Sequence, residues 1–245
     1  MRDWASKRYW IVGASEGLGR ALCERLSAAG AELVLSARNE ERLETLAARL
    51  PAPARAVRVD VSDSRDVARA AGAAGEIDGL VYAAGVYWPQ AARDWTPEEV
   101  TAMCDINFTG AARVLGEVVP GMVARGHGHV VLTGSLSGFR GLPGSIGYSA
   151  SKAGVMHLAE CLRADLNGTG VEVQLVNPGF VRTRLTDKND FRMPMIMEPE
   201  AAAREIFEHM CSGGFSKSFP RSFGALFQLS RFVPAPLYYR LFGRG

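Results

Sequence analysis

Short apolar runs alternate along this chain with segments whose large apolar residues recur every three to four positions, and that alternation restricts the fold more than any other feature. Tyr9-Trp10-Ile11-Val12 is the first run and stops at Gly13. Helical spacing follows from about Leu18 to Ala29, with Leu22 and Leu26 on one face and Gly30 closing it. Glu32 to Ser36 is the second run, and Asn39 can cap a helix bearing Leu43, Leu46 and Leu50, which Pro51 stops. Ala56 to Val59 reads as a third strand, Ser62 as the cap of the next helix, and Leu80 to Ala83 as a fourth strand. A long helix, whole or broken, starts at Thr96 with Pro97 at its first position and reaches about Arg125. Val130 to Leu132 is a fifth strand, Ser145 to Leu166 a helix, Val171 to Val176 a sixth strand and Glu200 to Cys211 a further helix. Strands separated by helices pair in parallel through right-handed crossovers. The predicted class is therefore α/β, a doubly wound parallel sheet, and ligands on such a sheet bind beyond the carboxyl ends of its strands.

Composition is compatible with one such domain. The chain has 245 residues, 47% hydrophobic and 22% charged, with 28 Lys+Arg against 26 Asp+Glu for a net charge of +2. These values exclude a disordered or fibrous chain, and the balance gives no reason to expect nucleic acid. Cys23, Cys104, Cys161 and Cys211 are widely spaced and show no CxxC or Cys/His cluster, so neither a metal site nor a disulfide framework is indicated. They read as buried free thiols of a reducing compartment. The polar start from Met1 to Lys7 lacks the apolar core of a signal peptide, and no uncharged apolar stretch approaches ~18 residues. The expected location is the cytoplasm.

The strand ends carry the chemistry. After the first comes Gly13-Ala14-Ser15-Glu16-Gly17-Leu18-Gly19. Glycines let backbone approach a pyrophosphate, and the helix N-terminus offers free N–H groups and a positive dipole end. The same glycines also suit a plain tight turn. After the second strand stands Ala37-Arg38, where a carboxylate would favour NAD by accepting from the ribose diol. Ala37 offers none and Arg38 can pair with a 2′-phosphate, so NADP(H) is preferred over NAD(H). The third strand leads into Asp60-Val61, where Asp60 can accept from the adenine amino group or close a local turn. Tyr148 and Lys152 lie four apart on a predicted helix and share a face. A free phenol titrates near pH ~10, and a neighbouring ammonium is expected to lower that value. A tyrosine so tuned exchanges a proton with a carbonyl or alcohol oxygen, and Ser135, just past the fifth strand, can hold the same oxygen.

With Asn107-Phe108-Thr109-Gly110, Gly134-Ser135, Tyr148-Ser149-Ala150-Ser151-Lys152-Ala153 and Asn177-Pro178-Gly179-Phe180-Val181-Arg182-Thr183 in this order, residues 7–183 resemble the short-chain dehydrogenase/reductase family. The resemblance implies a Rossmann-like sheet of about seven strands with helices on both faces, and a catalytic tetrad of Asn107, Ser135, Tyr148 and Lys152. Tyr148 is then the general acid/base. Lys152 also binds the nicotinamide ribose, and Asn107 holds a water that relays protons to Lys152. The implied cofactor contacts are Gly13, Ser15, Glu16, Gly17, Leu18, Gly19, Arg38, Asp60, Val61, Ala84, Gly85, Tyr148 and Lys152. Pro178, Gly179, Val181 and Thr183 complete them as a loop beside the nicotinamide, with Thr183 on its carboxamide. Two positions depart from the pattern: Val12 replaces the usual Thr, and Ala83 replaces an Asn that would tie strand ends to the cofactor loop. Neither touches the tetrad, so both bear on local stability rather than activity.

The expected organisation is a core over 1–185, a substrate lid and helix over 186–212, and a basic, aromatic segment over 213–245. Met193-Pro194-Met195-Ile196-Met197 is adaptable apolar packing and suggests a hydrophobic substrate; it equally suits plain packing on the domain. From His209 onward stand Lys217, Arg221, Arg231, Arg240 and Arg244 with no acidic residue. Phe223, Leu226 and Phe227 have helical spacing, Pro234 and Pro236 break the element, and a second apolar turn follows. Core or oligomer packing is the favoured reading of this tail. Peripheral membrane contact is the less favoured one. A homo-oligomer, dimer or tetramer, acting on a small-molecule carbonyl or alcohol is expected. The alternative is a regulatory protein that holds NADP on the same fold without turnover, for which a tuned tyrosine has no use. Epimerase or dehydratase chemistry is disfavoured by the short C-terminal region.

Overall fold

A computed structural model describes residues 2–242. Arg244, one of the five basic residues of the tail, lies outside the described residues. The apolar runs become strands β1 (Arg8–Val12), β2 (Glu32–Ser36), β3 (Ala54–Ala56), β4 (Gly79–Tyr82), β5 (Gly128–Thr133), β6 (Val171–Pro178) and β7 (Ser216–Phe219). They form one seven-stranded sheet, all parallel, in the order β3-β2-β1-β4-β5-β6-β7. Between them run α1 (Gly17–Ala28), α2 (Glu40–Ala47), α3 (Ser64–Ala74), α4 (Pro97–Cys104), α5 (Gly110–Arg125), α6 (Ile146–Asp165) and α7 (Pro199–Met210), with α8 (Arg221–Ser230) and α9 (Ala235–Phe242) after β7. Two strand orders leave β1 in opposite directions, so the topological switch lies between β1 and β4, and their carboxyl ends open a crevice there.

Side chains alternate across the sheet and build two cores. Trp10, Val12, Leu80, Tyr82, Val130 and Leu132 meet α3, α5 and α6 on one face. Tyr9, Ile11, Leu33, Leu35, Val81 and Val131 meet α1, α2 and α7 on the other, where Ala202, Ala203 and Ile206 lie flat against the α1 side. Helix α7 is thus part of the core, and of the segment expected as a lid only the irregular stretch before it is left for that part.

Several boundaries differ from the sequence reading. β3 ends at Ala56 instead of spanning Ala56 to Val59, although Val57 and Val59 still donate to the Leu35 and Ala37 carbonyls at 2.9 and 3.0 Å. The cap of α3 is Asp63, whose carboxylate accepts from Arg65 N and Asp66 N, while the Ser62 hydroxyl donates to Asp60. α2 ends at Ala47, short of Leu50. The long helix from Thr96 is broken by a π turn over Asp105–Thr109. Of the four cysteines only Cys23 is buried, and Cys161 is exposed. In the tail, α9 is seated by Tyr238, which donates to the Gly141 carbonyl at 2.9 Å beneath the Arg140 guanidinium, 3.9 Å from its ring centre.

Candidate active site

The crevice at the switch is a cleft of about 610 Å³. Its floor exists because glycine allows it. Gly13 has φ +99°, and a Cβ there would sit 2.5 Å from the Ala84 nitrogen; one on Gly19 would sit 2.0 Å from the Gly13 carbonyl oxygen. The turn, the start of α1 and the end of β4 therefore touch backbone to backbone. Ala83 stands where the resemblance implies an Asn; its N–H donates to the Val12 carbonyl at 2.8 Å, a backbone bond that any residue but proline would make there, and its side chain has nothing to offer the cofactor loop. α1 starts without a side-chain cap and with no acidic residue in its first turn, which leaves its first N–H groups for an anion.

The other predicted cofactor residues line the same cleft: Ser15, Glu16, Gly17 and Leu18 of the turn, Arg38, Asp60 and Val61 beyond β2 and β3, Gly85 beyond β4, and Pro178, Gly179, Val181 and Thr183 beyond β6. The Glu16 carboxylate is neutralised by Arg42 at 2.6 Å, from the first turn of α2, and by Arg184 at 3.1 Å, just past the 177–183 motif; neither stands at a strand end, where the sequence signal is read. Arg38 makes no ion pair among the described residues. Burial raises the Asp60 carboxyl, but two bonds from Ser62 and the charges of Arg38 and Arg58 outweigh it and hold the group below its ordinary range. The Thr133 hydroxyl, on the cleft wall, is buried without a protein partner. A backbone cradle that any Cβ would fill, free N–H groups, an unpaired arginine and an orphaned hydroxyl together fit a phosphorylated dinucleotide.

At the far end of the cleft the predicted tetrad comes together. Tyr148 and Lys152 lie one turn apart on α6, and Ser135 follows β5. The Lys152 ammonium, 4% exposed, donates to the Thr133 carbonyl at 2.8 Å and sits 5.8 Å from the Tyr148 ring centre. The Ser135 Oγ accepts from Ser137 Oγ at 2.9 Å and Ser137 N at 3.2 Å, which leaves its own hydrogen for another acceptor. Asn107 lies in the π turn and is fully buried. Its Oδ1 accepts from Val86 N at 2.8 Å, and its Nδ2 donates to the Val86 carbonyl and Ser151 Oγ, both at 3.0 Å. The side chain thus ties the β4 exit to α6 beneath Lys152. A π turn is a common device for re-aiming a side chain at a functional site.

The expected acidification of the phenol is reversed in the protein alone. Burial pushes the Tyr148 phenol up to about 12, against the opposing pull of Ser135, and burial drives the Lys152 ammonium down to about 8. The cation points its bond at Thr133 rather than at the phenol, so desolvation dominates both groups. Tyr148 is then a protonated donor at neutral pH.

A second cavity of about 260 Å³ opens beside Tyr148 and shares Tyr87, Tyr148, Gly179, Leu185 and Thr186 with the cleft. Its walls are aromatic. Phe180 packs against Phe191 and Phe223 at 5.8 and 6.0 Å, Phe223 against Phe227 at 5.0 Å, and Tyr87 stands edge-on to Tyr148 at 5.0 Å. Across the mouth the lid is latched: Lys188 donates to the Tyr87 carbonyl at 2.7 Å and covers the Trp88 ring, and the Tyr87 hydroxyl donates to Asn189 at 2.9 Å. The methionines expected as cover do not line this cavity. Met197 is bridged to Val181 and packs on the core, and Met195 is exposed. Asn189, Asp190 and Phe191 take the place assigned to them. In the sequence Phe180 stands out only as part of the 177–183 motif, and Phe223 and Phe227 only by their helical spacing in the tail; neither signal assigns them to a pocket.

The family model for short chain dehydrogenases matches residues 7–192. An "uncharacterized oxidoreductase" of Myxococcus xanthus is 37% identical over 248 residues, covering 97% of this chain and 97% of that one. Among solved structures, a short-chain dehydrogenase from Sphingobium yanoikuyae in complex with NADPH is 28% identical with TM-score 0.84, covering 94% of both chains. One from Burkholderia phymatum in complex with NAD is 25% identical with TM-score 0.87, covering 95% of both.

Proposed function

The chain belongs to the short-chain dehydrogenase family and is an oxidoreductase, and from that premise we propose that it interconverts a hydrophobic ketone or aldehyde and its alcohol, with NADP(H) preferred over NAD(H). One observation carries the reading: Tyr148 lines both cavities, the glycine-floored cleft and the aromatic pocket, so its hydroxyl lies where a dinucleotide and an apolar substrate meet.

The Gly13–Gly19 turn and the first N–H groups of α1 would hold the pyrophosphate, Arg38 the 2′-phosphate, Asp60 and Val61 the adenine. Lys152 would hold the nicotinamide ribose, with Pro178, Gly179, Val181 and Thr183 along the ring. Bound there, the reduced nicotinamide supplies a hydride to the carbonyl carbon. The protein's part is proton and position. Tyr148, protonated at neutral pH, donates its hydrogen to the carbonyl oxygen as charge builds there. Ser135 donates a second hydrogen bond to that oxygen. Lys152 keeps a positive charge beneath the phenol while its own proton is on, and Asn107 fixes the α6 turn that presents both. The Phe walls give the pocket an apolar side for the substrate's hydrocarbon part. The empty pairing of Arg38, the neutral Ala37 and the arginine-paired Glu16 support the NADP preference.

The test is NADPH consumption, followed by absorbance, across carbonyl compounds of rising size and hydrophobicity. Turnover is expected for apolar aromatic or medium-chain carbonyls over small polar ones. Tyr148→Phe should cut kcat by roughly 10²–10⁴-fold while NADPH binding persists. Undiminished turnover in Tyr148→Phe, or preference for the polar set, defeats the reading.

A further inference from the structure

Helix α8 has two working faces. Inward, Phe223 and Phe227 wall the substrate cavity, and Gly224 lets the helix sit on β7, since a Cβ there would meet Ser218 Cβ at 2.7 Å. Outward, Leu226 and Leu229 are 54% and 64% exposed, and Phe232, just past the helix, is 85% exposed. The lid lies alongside: the Ser222 hydroxyl reaches Met195 Sδ at 3.7 Å, and Met195 and Phe191 are both exposed. Phe191 also lines the cavity. Large apolar side chains therefore stand in water on the outer face of the helix and lid that wall the apolar pocket, which a monomer seldom leaves uncovered without use.

The charges on this face choose its partner. From Phe191 to Met195 the one charged residue is Arg192, and from His209 onward every charged residue is basic, with Arg221 and Arg231 flanking the exposed leucines. Asp190, the nearest acid along the lid, lines the cavity. A second copy seated symmetrically on this face would set arginine against arginine, with no carboxylate in the segment to answer them. An anionic bilayer meets both demands: its acyl boundary takes the leucines and phenylalanines, and its headgroup phosphates take the arginines. No described helix is long and apolar enough to cross a membrane, and a short amphipathic helix beside a lid suits the surface. We propose that the face formed by α8 and the Phe191–Met195 lid docks on anionic lipid, placing the mouth of the substrate pocket at the bilayer surface. That the docked pocket draws a lipophilic carbonyl from the bilayer rests on the function proposed above.

The experiment is co-sedimentation of the full chain with vesicles of phosphatidylcholine alone and of phosphatidylcholine with phosphatidylglycerol, at low and high salt. Binding is expected to the mixed vesicles only, weakening as salt rises. The double variant Leu226→Ser/Leu229→Ser should lower the partition coefficient about tenfold or more, and Arg221→Gln and Arg231→Gln about fivefold each. These side chains are absent from both cavities, so NADPH turnover of a water-soluble carbonyl and the melting curve should stay unchanged. Failure to bind mixed vesicles overturns the proposal, as does binding that ignores these substitutions. A dimer in sedimentation analysis that the leucine variant dissociates also overturns it, by assigning the face to a second copy. Vesicle binding with no carbonyl turnover would sink the proposed activity and leave the docking face standing.

Discussion

Replacing Lys152 by Met should stabilise the protein while disabling it. The ammonium is 4% exposed, and burial takes it from an ordinary value of 10.5 to about 8. Holding that charge in the fold at pH 7 costs roughly 3 kcal/mol, at about 1.4 kcal/mol for each factor of ten. The charge-assisted bond to the Thr133 carbonyl returns about 1.5–3 kcal/mol. A methionine of similar length removes both, for a net gain of about 1 kcal/mol, or about 2–4 °C in Tm for a domain of this size. The pH dependence carries the sign. The folded lysine releases its proton near 8 and the unfolded one near 10.5, so between these values the unfolded chain binds more protons and stability rises with pH. The wild-type penalty is full below pH 8 and gone above pH 10.5, and Lys152→Met lacks the term. Its advantage should be largest near neutrality, vanish at about pH 9 and turn into a deficit by about pH 10, where the wild-type penalty is nearly gone and the variant still lacks the Thr133 bond. Thermal melts of both proteins at pH 7 and 10, with NADPH turnover on the same samples, make the assay. Turnover should fall by about 10² or more at pH 7. A variant that melts several degrees lower at pH 7, or a difference that ignores pH, would show that Lys152 is not a desolvated cation, and the electrostatic argument for the site would go with it.

Arg38→Ala should raise KM for NADPH by roughly 10–100-fold, the loss of one charge-assisted contact worth about 1.5–3 kcal/mol, with little effect on NADH; equal losses for both cofactors would count against the assigned phosphate contact. Burial drives the imidazole of His129, held between the Tyr9 hydroxyl and Gln174, down to about 3. The unfolded histidine takes a proton near 6.5 and the folded one does not, so stability should fall by several kcal/mol as pH drops from 6.5 toward 3. His129→Gln should flatten that slope in urea midpoints measured at pH 7 and 4. Phe227→Ala should shift turnover toward bulkier carbonyls at a stability cost of roughly 2 kcal/mol, less than for a fully buried ring; an unchanged substrate profile would remove α8 from the pocket wall.

The cofactor end of the site was legible in the sequence because its chemistry is done by backbone. Where Gly19 would drive a Cβ to 2.0 Å of the Gly13 carbonyl, no other residue will serve, so letters and geometry are nearly the same statement. Tyr148 and Lys152 were legible for a related reason, since helix periodicity alone places them on one face. What that periodicity does not carry is the direction of the ammonium. Its bond goes to a strand carbonyl 19 residues earlier, and the phenol that spacing predicts to be acid is instead held protonated. The π turn was hidden likewise, because a helix breaks at Asn107 only when Val86 and Ser151, 21 and 44 residues away, are there to take its amide. The apolar pocket was least legible of all. Phe180 meets Phe223 across the fold, and Phe223 and Phe227 lie past residue 192, where the match to the family model stops. The residues proposed to hold the dinucleotide and move the proton thus sit inside the shared pattern, while an outer wall of the apolar pocket comes from the segment beyond it. A chain built this way can exchange one substrate for another by changing its last helices without disturbing the tetrad, and its specificity has to be sought in α8 and the lid rather than in the motif that identifies it.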